Sequence, residues 1–141
     1  MIRILPPIRS DSMGAGYFGA PRGSRTHKGV DFACYPESKI LTPCSGEVTK
    51  IGYPHASGVG GASDDEPYRY VEVTNAAGEA HRVFYIKPTV QKGDVVLEGR
   101  DVIGFAQDVR TRHGQAMTPH VHYEIRVNGE FVSPIKHEGM T

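Results

Sequence analysis

The sequence predicts an all-β domain, and three observations carry that expectation. Glycine and proline are abundant, 17 and 10 of 141 residues, and they cut the chain into short apolar runs. Those runs are rich in valine and tyrosine, and several alternate apolar with polar residues, the period of a half-buried strand. No stretch sustains the 3.6-residue period of an amphipathic helix. At this length the chain forms one domain, residues 1–141, with no internal repeat and enough core to fold without staples.

The elements follow in order. Residues 10–26 are a glycine-rich loop, with Gly14, Gly16, Gly19 and Gly23 set among Tyr17, Phe18 and Arg22. No strand precedes it and no helix follows, so a phosphate cradle is disfavoured. Residues 29–34 alternate as a strand and turn at Tyr35–Ser38; Lys39 to Thr42 is a second short strand. After a turn at Pro43–Gly46, Glu47 to Tyr53 alternates cleanly. Pro54 to Pro67 is a long loop containing Asp64, Asp65 and Glu66, which lack the spacing of a calcium loop and read as a solvated charge run. Tyr68–Thr74 and Glu79–Ile86 form a hairpin across Asn75-Ala76-Ala77-Gly78. Tight β corners follow through Val90–Gly99 and Val102–Ala106, then a polar loop over 107–118. His120–Val127 is a strand, and Asn128-Gly129 predicts a type I′ turn before Phe131-Val132.

Composition excludes several classes. Lys+Arg and Asp+Glu both number 16, so nothing electrostatic favours nucleic acid or an anionic membrane. No apolar run approaches the roughly 20 residues a spanning helix needs. Met1–Pro7 has neither the apolar core nor the cleavage site of a secretory signal, which predicts a mature fragment or a protein that starts inside the cell. Cys34 and Cys44 are too few for a disulfide framework; one bridge or two buried thiols would fit.

Chemistry concentrates in two places. His120 and His122 sit one residue apart on a predicted strand, so they share a face about 6.6 Å apart. One can bind a metal while the other handles protons. The bland alternative is a polar face, His120, His122, Glu124 and Arg126, opposite Val121, Tyr123, Ile125 and Val127. Upstream, His27 and Asp31 would lie about 13 Å apart on a straight strand, but Gly29 lets the chain bend and bring both to one ion. Two imidazoles and a carboxylate are the equipment of a catalytic zinc site, which leaves a position open for water. There is no HExxH and hence no glutamate base of that kind, so the spare histidine is the natural proton handler.

These residues resemble the lysostaphin-like zinc metalloendopeptidases, which cut peptidoglycan cross-links. Phe18-Gly19-Ala20-Pro21-Arg22 precedes His27-Lys28-Gly29-Val30-Asp31, as a Phe-Gly-x-Arg stretch precedes the family's His-x-Gly-x-Asp. Phe32 to Val48 is similar to its hairpin ending in Gly-x-Val. Val90, Gly93-Asp94, Val96, Gly99 and Ile103-Gly104 match a further signature, and Thr118-Pro119-His120-Val121-His122-Tyr123-Glu124 resembles Gly-Pro-His-Leu-His-Phe-Glu. The resemblance implies that His27, Asp31 and His122 hold one zinc ion and that His120 is catalytic. It also implies an open groove in an antiparallel β fold, walled by loops 54–67 and 107–118.

One departure stands out. The family carries a second catalytic histidine in a Tyr-x-His-Leu segment, where this chain reads Tyr85-Ile86-Lys87-Pro88. Lys87 would serve as a base only with its pKa driven well below about 10.4, or else as an oxyanion donor. His113 is the other candidate auxiliary; His81 lies too far from Tyr85. His55 and His137 read as surface residues. The resulting expectation is a peptidase acting at the bacterial cell wall or periplasm, delivered without a signal peptide of its own, for example with phage tail or lysis proteins. The rivals are a degenerate relative that binds peptidoglycan or a partner protein without cutting, and a structural metal domain. Structural zinc sites are usually closed and cysteine-rich, and neither cysteine joins this set.

Overall fold

A computed structural model describes residues 10–11, 14–16, 18–22, 25–26, 28–54, 68–109 and 118–134. His27, His55, His113 and His137, and most of the two expected loop walls, lie outside the described residues. Among the described residues fourteen strands account for nearly all regular structure: β1 Ser10–Asp11, β2 Gly14–Ala15, β3 Pro21–Arg22, β4 Arg25–Thr26, β5 Val30–Ala33, β6 Lys39–Leu41 and β7 Gly46–Gly52. The rest are β8 Tyr70–Thr74, β9 Ala80–Phe84, β10 Ile86–Pro88, β11 Val95–Val96, β12 Val102–Ala106, β13 His120–Val127 and β14 Glu130–Val132.

The all-β expectation holds, and among the described residues every pairing is antiparallel. A seven-stranded sheet runs β11-β7-β8-β9-β13-β14, with β5 also on β13. A three-stranded sheet runs β10-β12-β6. The glycine-rich segment expected as plain loop carries two small two-stranded ladders, β1–β2 and β3–β4. Asn128 and Gly129 take φ of 51° and 80°, the pair of positive angles a type I′ turn demands.

β13 is the strand that organises the site. One edge pairs with β9 over His122–Arg126, while the other takes β5 beside His120–Tyr123 and β14 beside Ile125–Val127. Alternation then divides its side chains. Val121, Tyr123 and Ile125 turn into the core with Val30, Phe32, Val48, Val71, Val73 and Val83; Ile40, Ile86 and Ile103 meet them from the smaller sheet. His81 shares this inner face, opposite Ile125, and its Nδ1 lies 2.7 Å from the buried Tyr123 hydroxyl. It is a core histidine remote from the chemistry. His120, His122 and Glu124 take the other face.

The strand expected from Glu79 to Ile86 breaks at Tyr85. There the chain leaves the large sheet at the end of β9 and enters the small one as β10, with Tyr85 at φ 71°. Cys34 and Cys44 are not bridged, and the Cys44 thiol donates to the Val73 carbonyl at 3.8 Å. Burial pushes Cys34 up to about 11, despite a backbone hydrogen bond with Val121, so it stays an inert thiol at neutral pH.

Candidate metal and catalytic site

Register brings the two sequence-distant motifs together. β5 pairs with β13 so that Asp31 lies directly across from His122, and Ala33 across from His120. Directly opposed residues share a face with Cβ atoms about 4.5–5.5 Å apart. Asp31 and His122 therefore converge, and Asp31 Oδ1 sits 2.7 Å from His122 Nδ1. Asp31 and His120 are each only 3% exposed. The backbone N–H of Asp31 donates to the Gly16 carbonyl at 2.7 Å, which ties the glycine-rich segment to this strand.

Gly29 matters here for a reason beyond bending. Its φ lies outside the left-handed region, but a Cβ there would overlap the Tyr123 carbonyl oxygen and come within 3.0 Å of both Glu124 Cγ and His122 Cε1. The Tyr123 carbonyl is backbone and cannot step aside. Gly29→Ala is expected to destabilise the fold by about 1–3 kcal/mol and to displace the His122 ring. Thermal unfolding with and without zinc checks both, since a displaced ring also removes the stabilisation that zinc confers.

Hydrogen bonds assign the protons. His122 Nε2 lies 2.9 Å from Glu124 Oε1. Carboxylate oxygens only accept, so both Nε2, facing Glu124, and Nδ1, facing Asp31, need a hydrogen. In the metal-free protein the ring is therefore the imidazolium: burial opposes the charge, but the hydrogen bonds and charges of Asp31 and Glu124 prevail, and His122 is pushed from 6.5 up to about 9. Asp31 and His122 are two donors of the kind a divalent metal takes, with Glu124 placed as outer partners of metal-bound histidines are; no third donor converges with them among the described residues, and His27 lies outside those. Glu124 is a candidate that the resemblance did not single out, although its place two residues after His122 in a strand signals the shared face.

His120 is built differently. Its Nδ1 is 2.8 Å from the Thr118 carbonyl, which can only accept, so Nδ1 carries the hydrogen and Nε2 presents its lone pair. Nε2 stands 3.7 Å from Asp31 Oδ2. That is the tautomer of a proton acceptor, set beside a buried carboxylate. Rings wall both histidines: Phe84 meets His122 at 5.1 Å between centroids, and Tyr85 meets His120 edge-on at 5.7 Å. Lys87 stands exposed on β10, paired with Phe105, and lines a cavity of about 590 Å³ together with Tyr68, Arg69, Gln107 and Asp108.

Against known proteins, residues 25–134 match the model of Peptidase family M23. The chain belongs to this family. An M23 domain accounts for the order of the motifs as well as the sheet that unites them. A curated relative from Haemophilus influenzae, described as an uncharacterized metalloprotease, is 31% identical over 114 residues. That match spans 79% of this chain and 21% of the relative, so the M23 domain corresponds to about a fifth of that protein's length. Among solved structures, the catalytic domain of the antimicrobial peptidase lysostaphin from Staphylococcus simulans superposes with a TM-score of 0.64 at 22% identity, covering 88% of this chain and 89% of that one. A zinc-containing peptidase from Vibrio cholerae gives 0.62 at 21% identity, covering 89% of this chain and 35% of that chain. The two structures establish a shared fold.

Proposed function

We propose that this domain is a zinc-dependent endopeptidase that hydrolyses peptide cross-links of bacterial peptidoglycan, acting at the cell wall. The observation that carries the proposal is the convergence of Asp31 Oδ1 and His122 Nδ1, with Glu124 on the far nitrogen and His120 alongside on the same face. Asp31 and His122 would hold the metal, and His27, four residues before Asp31 and outside the described residues, would be the third ligand. When bound, zinc supplies Lewis-acid activation of a carbonyl and of water.

The chain's own residues supply the rest. Asp31 contributes a buried negative charge. Glu124 keeps His122 in the tautomer whose Nδ1 can ligate. His120, locked by Thr118, accepts a proton at Nε2 from the attacking water and can return it to the leaving amine. The cavity walled by Tyr68 carries both signs of charge, Arg69 and Lys87 with Glu37 and Asp108, which suits a peptide bearing both amino and carboxylate groups. A domain that only binds cell wall has no use for a buried carboxylate held against an imidazole, and this favours the peptidase over the binding module.

The test is release of new amino groups from purified peptidoglycan by the zinc-loaded protein. Release is expected, with loss on chelation and recovery on adding zinc back. The exposed amino-terminal residue names the bond. No release from walls of several cross-link types, with zinc bound, would replace this proposal with the binding module.

A further inference from the structure

Tyr85 holds a backbone conformation that bulky side chains avoid. Its φ of 71° is left-handed, costing on the order of 1–3 kcal/mol outside glycine. Hydrogen bonds impose it: Tyr85 N–H donates to the Arg69 carbonyl at 2.8 Å, Ile86 N–H to the same carbonyl at 3.3 Å, and Gln107 N–H to the Tyr85 carbonyl at 2.9 Å. Glycine would serve this crossover between sheets without strain.

Strand parity shows what the strain achieves. Phe84 pairs with His122, so a regular continuation of β9 would set Tyr85 across from Val121 and turn its ring into the core. The positive φ redirects it. The Tyr85 ring instead meets the His120 imidazole at 5.7 Å and 86°, on the face that carries the candidate site. It also meets Phe84 at 6.4 Å and Tyr68, edge-on at 5.7 Å, which lines the cavity. Tyr85 therefore touches both His120 and a residue of the cavity wall. The Tyr68 hydroxyl is committed to the Asp108 carbonyl at 2.8 Å, so Tyr68 is part of the frame. Lys87, two residues on, lies exposed in the other sheet.

We propose that Tyr85 is a catalytic residue: its phenol donates a hydrogen bond to the oxyanion that develops on the scissile carbonyl. Phenols keep their proton at neutral pH, which suits a donor that stays protonated throughout. The attacking water's proton goes to His120 and on to the leaving amine, so Tyr85 gains and loses none. The inference rests on the peptidase proposal above, and its test separates the two.

The experiment compares wild type, Tyr85→Phe and Tyr85→His, each loaded with zinc, on a peptide containing the bond that wild type cleaves. Tyr85→Phe is expected to lower kcat by about 100-fold with KM nearly unchanged. A phosphinate analogue of that peptide, which carries the tetrahedral oxyanion, should bind Tyr85→Phe more weakly by a similar factor. The product peptides should bind Tyr85→Phe as they bind wild type, and zinc content and melting temperature should hold. Tyr85→His should recover much of the rate, because an imidazole N–H can also donate. Active wild type with Tyr85→Phe at full kcat and full phosphinate affinity overturns the role of Tyr85 alone. Tyr85→Phe that loses zinc and cooperative melting together with activity also overturns it, by showing a structural part. Wild type that cleaves no wall overturns both proposals.

Discussion

Replacing His122 with alanine is expected to abolish stoichiometric zinc binding, and hydrolysis with it. The ring is the meeting point of the site: Asp31 lies on Nδ1 and Glu124 on Nε2. Glu124→Gln should weaken zinc by only about 10–100-fold, as loss of an outer partner does, and the two variants together separate ligand from support. Calorimetric titration of the metal-free proteins reads both. The pH dependence of that titration is a sharper check. With His122 pushed up to about 9, metal must displace a proton at neutral pH. Affinity should therefore rise about tenfold per pH unit towards 9 and then flatten, and this slope should vanish in His122→Ala. The same proton acts on the metal-free fold. The folded pKa is raised above the ordinary 6.5, so its stabilisation is complete below that value and is lost as pH rises through about 9. Thermal unfolding in chelator should show that decline, and added zinc should offset it. If His122→Ala does not fold, Asp31→Asn serves, since it removes the facing charge and keeps the shape.

His120→Gln is expected to lower kcat by about 10²–10⁴-fold while zinc stoichiometry and melting temperature stay at wild-type values. Glutamine can still donate to the Thr118 carbonyl through its amide, so the frame is preserved while the basic Nε2 is lost. The contrast with His122→Ala decides which histidine of the pair is which. Loss of zinc in His120→Gln would make it a ligand and exchange the two roles. Steady-state hydrolysis, metal analysis and a melting curve on one preparation are sufficient.

The division of labour along β13 was readable before any coordinates, because a strand alternates. Val121, Tyr123 and Ile125 read as the inner face and His120, His122 and Glu124 as the outer one, as the structure has them. Glycine-punctuated valine runs likewise announced strands and turns, and Asn128-Gly129 announced its own backbone angles. These are local properties, set by which φ and ψ a residue tolerates and by which side of a pleat it occupies.

Register and crossover are not local. Only the pairing of β5 with β13 brings Asp31 to His122, across 91 positions of sequence, and a slip of one residue would send Asp31 to the wrong face. Gly29 read as a hinge; the tertiary structure makes it the place where two backbones touch. At Tyr85 an unbroken alternating strand was the natural expectation, with Lys87 as the residue to watch. The passage between two sheets instead forces a positive φ and delivers the tyrosine to His120. The sequence by itself determined the β class, the two faces of β13 and the residue types that gather on its outer face, through periodicity and side-chain chemistry. Tertiary structure alone decided which atoms meet, because contacts between distant strands depend on how sheets are joined and stacked, and that is a property of the whole chain.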